Sequence, residues 1–212
     1  MMGAMVYLPA HDEATSAADV AELIAVNPFA TLITTDGTAL VANHIPLLLE
    51  SGADGEKLIG HVARANDVWR EGNHEGETLV VFSGAHHYVS PTWYPSKQEH
   101  HQVVPTWNYL VAHVYGELVI HDDLRWTRGA VAKLTGVMEH GRADAWHMGQ
   151  APADYVAGQL EKIVGIELRI SRIVGKFKVS AHRSSADRGG AADGIETDSG
   201  PSPLVDAMRA VD

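Results

Sequence analysis

The feature that most limits the fold is a succession of short β-type runs, each ended by turn residues. Phe29–Thr35 is β-branched and apolar, and the Asp36-Gly37 pair after it is a strong hairpin signal. Ala39–Glu50 continues as a strand with both faces largely apolar, which predicts a central, buried position. Pro46 inside it predicts a bulge or an edge, because proline donates no ladder hydrogen bond. Ser51–Glu56 reads as a polar turn, and Lys57–Ala63 and Thr78–Ser83 as two more strands. Leu110–His121 has a period of two, with Ala112, Val114, Gly116, Leu118 and Ile120 on its core face. Ile166, Leu168 and Ile170 alternate again. The phase changes near Gly175, as at a bulge or tight turn. Beyond it, Phe177 and Val179 share one face, and Lys176, Lys178 and Ser180 the other.

Helices fill the intervals. Ser16 caps a predicted helix that runs to Val26 and is stopped by Pro28. Asp122 or Asp123 caps another, whose predicted buried stripe is Leu124, Thr127, Val131, Leu134 and Met138. Pro152 opens a third, which ends near Gly165. Strands with helices between and after them predict a mainly β, α+β fold: an antiparallel barrel with peripheral helices. The expected organisation is one domain over residues 1–188. Residues 189–212, rich in Gly, Ala, Ser and Asp, then form a mobile tail, with a short helix within Leu204–Val211.

Composition narrows the function. The chain has 212 residues, no cysteine and a formal net charge of -11. Thiolate chemistry and a disulfide scaffold are excluded. Lys and Arg total 16 against 27 acids, so direct DNA binding is disfavoured, because phosphate neutralisation supplies most of that affinity. No apolar run reaches the roughly 18 residues that cross a bilayer, and Met1–Pro9 lacks the basic start of a leader. A cytoplasmic protein with no membrane contact is expected. Thirteen histidines raise haem or metal binding as an alternative. His86-His87 and His100-His101 are adjacent pairs, however, and neighbouring strand residues point to opposite faces.

Four clusters could carry chemistry. Gly60-His61-Val62-Ala63-Arg64-Ala65-Asn66 ends a strand with a guanidinium suited to a phosphate and an amide beside it; the same residues also read as a strand end with a surface arginine and an Asn cap. Tyr88-Val89-Ser90-Pro91-Thr92-Trp93-Tyr94-Pro95-Ser96-Lys97 offers hydroxyls and rings; it reads equally as a proline-ordered loop covering a core edge. Val103–Tyr109 repeats the aromatic and amide character with Thr106, Trp107 and Asn108. Lys176, Lys178 and Ser180 form an anion site or a solvated strand face.

Taken in order, these segments resemble a known family. Tyr7-Leu8-Pro9-Ala10-His11, Asn43-His44-Ile45-Pro46, Gly60–Asn66, Tyr88–Tyr94, Val104–Tyr109 and Gly175–Ser180 together resemble the PaiB family of FMN-binding negative transcriptional regulators, over about residues 5 to 190. The resemblance implies an FMN-binding split barrel, like pyridoxamine phosphate oxidases and flavin reductases. It further implies a homodimer with a flavin site at the interface. The implied flavin contacts are His44, Ile45, His61, Ala63, Arg64, Asn66, Ser90, Trp93, Thr106, Trp107, Asn108, Lys176 and Lys178. FMN would give an oxidoreductase or flavin-sensing role, with a nicotinamide or another small electron donor or acceptor as partner. A repressor acting without redox turnover is the other implied reading. The sequence departs from the family after Ser180, where Ala181-His182-Arg183-Ser184 stand in place of the usual Gln-Asn and a proline.

Overall fold

The computed structural model describes residues 6–14, 16–52 and 55–211. The tip of the expected Ser51–Glu56 turn, residues 53–54, lies outside this range, as do residues 1–5 of the N-terminal stretch. Six strands are present: β1 (Phe29–Thr35), β2 (Leu40–Gly52), β3 (Gly55–Ala63), β4 (Thr78–Val89), β5 (Thr106–His121) and β6 (Ile163–Lys178). The helices are α1 (Ala17–Val26), α2 (Lys97–His100), α3 (Leu124–Met138), α4 (Ala153–Leu160), α5 (Ser185–Ser199) and α6 (Pro203–Arg209). The strand order is β1-β2-β3-β6-β5-β4, and pairing of β1 with β4 closes the sheet on itself. The β1–β2, β1–β4, β2–β3 and β3–β6 ladders are antiparallel, so the expected mainly β barrel with peripheral helices is the observed fold. No helix among the described residues is long and apolar enough to cross a membrane.

The chain divides into two compact units. One comprises Ile24–Phe82 and His113–Ile173. Its core is the inward face of the strands, where Leu32, Leu58, Val80, Phe82, Val114 and Val164 are buried. Within it β2 changes partner at Pro46. Residues 40–46 pair with β1 and residues 47–52 with β3, so the missing N–H of Pro46 falls at the hand-over. The expectation that all of β2 is buried fails. Leu40 is 79% exposed and Val41 45% exposed, because this half of β2 has no element covering it among the described residues. Helix α3 is capped by Asp123, whose Oδ1 accepts from the Trp126 N–H at 2.6 Å. Its buried face is Thr127, Ala130 and Leu134; Leu124 and Met138, expected inside, are exposed. Helix α4 ends at Leu160, earlier than expected, because Ile163 already begins β6.

The other unit comprises the residues up to Leu23, Ser83–Ala112 and the chain from Val174 onward. Here β4 runs six residues further than the sequence indicates, to Val89, and the loop after it folds into a 3-10 turn at Pro91–Trp93 and the short α2. Gly175 sits where a Cβ would collide with Val20 and Ala14, which explains the phase change: the strand passes too close to its neighbours for a side chain. Over the segment expected as a tail the chain forms α5, which the sequence does not indicate, and α6, which matches the short helix expected within Leu204–Val211. Ala191, Ala192 and Ile195 of α5 and Leu204, Val205 and Met208 of α6 are buried. The glycines that made the segment look unstructured have a packing role. A Cβ at Gly190 would strike the Trp93 carbonyl, and one at Gly194 would lie inside the Trp93 ring's contact distance. Glycine is what lets α5 lie against that residue.

Candidate functional site

The residues implicated by sequence fall into two groups, one in each unit. In the barrel unit, β2 carries His44 and Ile45, β3 carries His61 and Ala63, and the turn after β3 carries Arg64 and Asn66. His44 Nδ1 lies 3.1 Å from Thr31 Oγ1, across the β1–β2 ladder that pairs those residues. Ile45 is buried. Asn66 accepts from the Val68 N–H and donates its amide to Asn43 Oδ1 at 2.7 Å. Among the described residues, the other amide atom of that pair, Asn43 Nδ2, is buried without an acceptor, and His61 Nδ1 is buried without a partner. Burial pushes the His61 imidazole below its ordinary pKa and favours the neutral ring.

Arg64 behaves differently from its reading as a phosphate fork. Its Nε donates to the Glu161 carbonyl, Nη1 and Nη2 grip Asp122 at 3.1 and 2.6 Å, and Nη2 also reaches the Ile163 carbonyl. The hydrogen bond to Asp122 holds the guanidinium protonated and the Asp122 carboxyl below the usual range. Little donor capacity remains for a ligand. The sequence could not show this, because Asp122 is 58 residues away.

In the other unit, β4, β5 and β6 and the segment after β4 carry Ser90, Trp93, Thr106, Trp107, Asn108, Lys176 and Lys178. Strand alternation separates these residues. Asn108 faces inward and is fully buried. Its amide bonds Ser180 Oγ at 3.0 Å and approaches Met208 Sδ at 3.4 Å. Ser180 takes a left-handed backbone, φ 61°, at the end of β6. This pair clamps the chain where it turns toward α5 and α6. Ser90 Oγ caps the turn after β4. Trp93 is covered by α5 and lies 6.0 Å from the His87 ring.

Trp107 faces the opposite way and is 54% exposed, with Tyr88 edge-on at 6.0 Å. Beneath it Lys178 Nζ donates to Thr106 Oγ1 at 2.7 Å and to the Trp107 carbonyl at 2.8 Å. Lys176 is buried; its Nζ donates to the Tyr7 carbonyl at 2.8 Å and sits over the rings of Tyr7 and Tyr109. Neither ammonium has a carboxylate within 4.0 Å among the described residues, in a chain with 27 acids. A buried ammonium with only neutral acceptors is a poor end state for a cation and a good receptor for an anion. The donor set therefore fits a phosphate-bearing, ring-containing group. Asn43 and Tyr88, not singled out from the sequence although both stand inside the motifs, are further candidates, one by its unpaired buried amide and the other by its ring beside Trp107. Among the described residues no three His, Asp or Glu side chains converge in a way that would hold a metal ion.

Comparison with known proteins agrees with this chemistry. The family described as "Putative FMN-binding domain" matches residues 6–172. The "Protease synthase and sporulation protein PAI 2" of Bacillus subtilis is 26% identical over 92% of this chain and 91% of its own length. An uncharacterised protein of Emericella nidulans, AN0679, is 31% identical over 84% of this chain and 87% of its own. Among solved structures, the FAD and haem binding protein of Mycobacterium smegmatis superposes with a TM-score of 0.55 at 19% identity, covering 79% of this chain and 73% of that one. That likeness is one of fold, the flavin-binding split barrel. With a family match over most of its length, the chain belongs to the PaiB-type FMN-binding family, and its cofactor is FMN.

Proposed function

We propose that the chain is a flavin-dependent redox or flavin-sensing protein in which Lys176 and Lys178 receive the FMN phosphate. The observation that carries this reading is the pair of ammoniums on β6 that lack a carboxylate partner among the described residues. The chain's own residues prepare that receptor. Thr106 Oγ1 and the Trp107 carbonyl hold Lys178 in one direction, and the Tyr7 carbonyl holds Lys176. Trp107 and Tyr88 offer exposed rings beside them, on which a flat heterocycle can lie. When bound, FMN supplies one- and two-electron transfer, and the protein's part is to hold and orient it. In the barrel unit, the orphaned Asn43 amide and His61 Nδ1 form a second candidate group for hydrogen bonds to a ligand. Each group is tested with its own variants.

The proposed protein partner is a second copy of the chain. Exposed Phe29, Leu40 and Val41 in the barrel unit support this, since so many exposed apolar side chains on adjacent strands mark an interface. The net charge of -11 argues against DNA as a direct partner. Purified protein mixed with FMN should take it up and show flavin absorption, with Lys178→Ala weakening uptake about tenfold. Failure of the native protein to bind FMN would overturn the reading.

A further inference from the structure

Outside the flavin groups, the barrel unit contains a groove of about 350 Å³. One wall is the flank of α3, where Trp126, Gly129, Ala130 and Lys133 fall at helical spacing. The other is the β2–β3 hairpin, which presents the cross-strand pair Glu50 and Lys57 and the buried Ile59. At one end Lys133 Nζ meets Glu50 Oε1 at 2.6 Å. The space continues over Gly129, where a Cβ would touch nothing within 4 Å. Arg125 stands at the Asp123 end of the helix.

The hydrogen-bond inventory of the groove is lopsided. Glu50 is engaged by Lys133, and Asp123 by the helix cap. Lys57 donates to Glu167, which is buried and is also approached by Arg169 Nε and His121 Nε2, each at 3.6 Å. An ammonium has three donors and a guanidinium five. Lys57 and Lys133 therefore each keep donors to spare, and Arg125 has no ion-pair or hydrogen-bond partner among the described residues. Ile59, Ala130 and Trp126, the last stacked at 3.9 Å on His121, supply an apolar lining. Spare donors around an apolar slot suit a small organic anion: an acceptor-rich head with a compact apolar or aromatic body.

We propose that this groove between α3 and the β2–β3 hairpin is a second ligand site, for a small carboxylate or phosphate ester with an apolar body, separate from the flavin. The proposal does not depend on where the flavin binds, since none of the flavin residues lines the groove.

The test uses FMN-saturated full-length protein titrated with benzoate and with phenyl phosphate, followed by saturation-transfer NMR and calorimetry. Binding with a Kd of about 1 mM or tighter is expected for at least one probe, and the two arms separate a carboxylate from a phosphate preference. Benzyl alcohol, the neutral analogue, should not bind. Arg125→Ala and Gly129→Leu should each weaken binding at least tenfold. Gly129→Leu fills open space on an exposed helix position, so fold and FMN content should be retained, and circular dichroism and flavin absorbance check this. Three results would overturn the proposal: no binding by either probe, equal binding of benzyl alcohol, or unchanged binding in Gly129→Leu. Displacement of FMN by the probe would assign the anion to the flavin site and overturn it as well.

Discussion

Arg64 and Lys178 look alike in sequence and differ in structure. Both are cations at or just past strand ends, inside segments that the family resemblance rests on. Arg64 spends its fork on Asp122 and two carbonyls of its own chain, whereas among the described residues Lys178 donates to a hydroxyl and a carbonyl. Asn108 and Asn43 repeat the contrast among amides. Asn108 is closed on Ser180, while Asn43 has a buried N–H without an acceptor. The difference teaches that a polar residue in a motif is a ligand contact only if the fold leaves its valence open. Closed groups should report in stability, and open groups in ligand affinity.

The steepest test is steric. Gly194→Leu forces a side chain into the Trp93 ring and is expected to cost about 3 kcal/mol or to detach α5, read by urea denaturation and tryptophan fluorescence. Asn108→Ala strands the buried Ser180 hydroxyl and should cost about 2 kcal/mol, while FMN affinity per folded molecule stays within threefold. A large affinity loss with little change in stability would break the division between closed and open groups. Lys178→Ala should show the reverse, with Kd for FMN rising about tenfold (about 1.4 kcal/mol) and the denaturation midpoint nearly unmoved. Arg64→Ala should lower the melting temperature and change FMN affinity less than threefold. If it abolishes uptake, the Arg64 fork is a ligand contact after all.

The smallest expected effect is on pH. His61, His121 and His182 are all held below the ordinary imidazole pKa, first by burial. The unfolded chain then binds protons more readily than the folded one. Stability should therefore fall as pH drops below the unfolded value of about 6.5, and level off once the folded groups also protonate. Melting curves between neutral and mildly acid pH check the sign; a gain in stability on acidification would contradict it.

Much of the fold was legible because a period of two is a local property. β1 was delimited to the residue, and the core face of β5 was assigned correctly for Ala112, Val114 and Leu118. What could not be read is non-local. The exposure of Leu40 and Val41 depends on what covers β2, not on β2 itself. The order in α5 depends on Trp93, more than ninety residues earlier. The flavin family was legible from motif order, whereas the division of its residues into closed and open required the partners of each atom.

Helix α5 carries Gly189, Gly190 and Gly194 within fifteen residues. Each glycine costs an isolated helix roughly 1 kcal/mol relative to alanine, so the segment has little helicity of its own. It exists as a helix because it is docked. Such an element is expected to exchange its amide hydrogens earlier than the strands and to melt as a unit when its seat on Trp93 is disturbed. The same glycines that complete the packing make this the part of the molecule most readily released by a change at a single side chain.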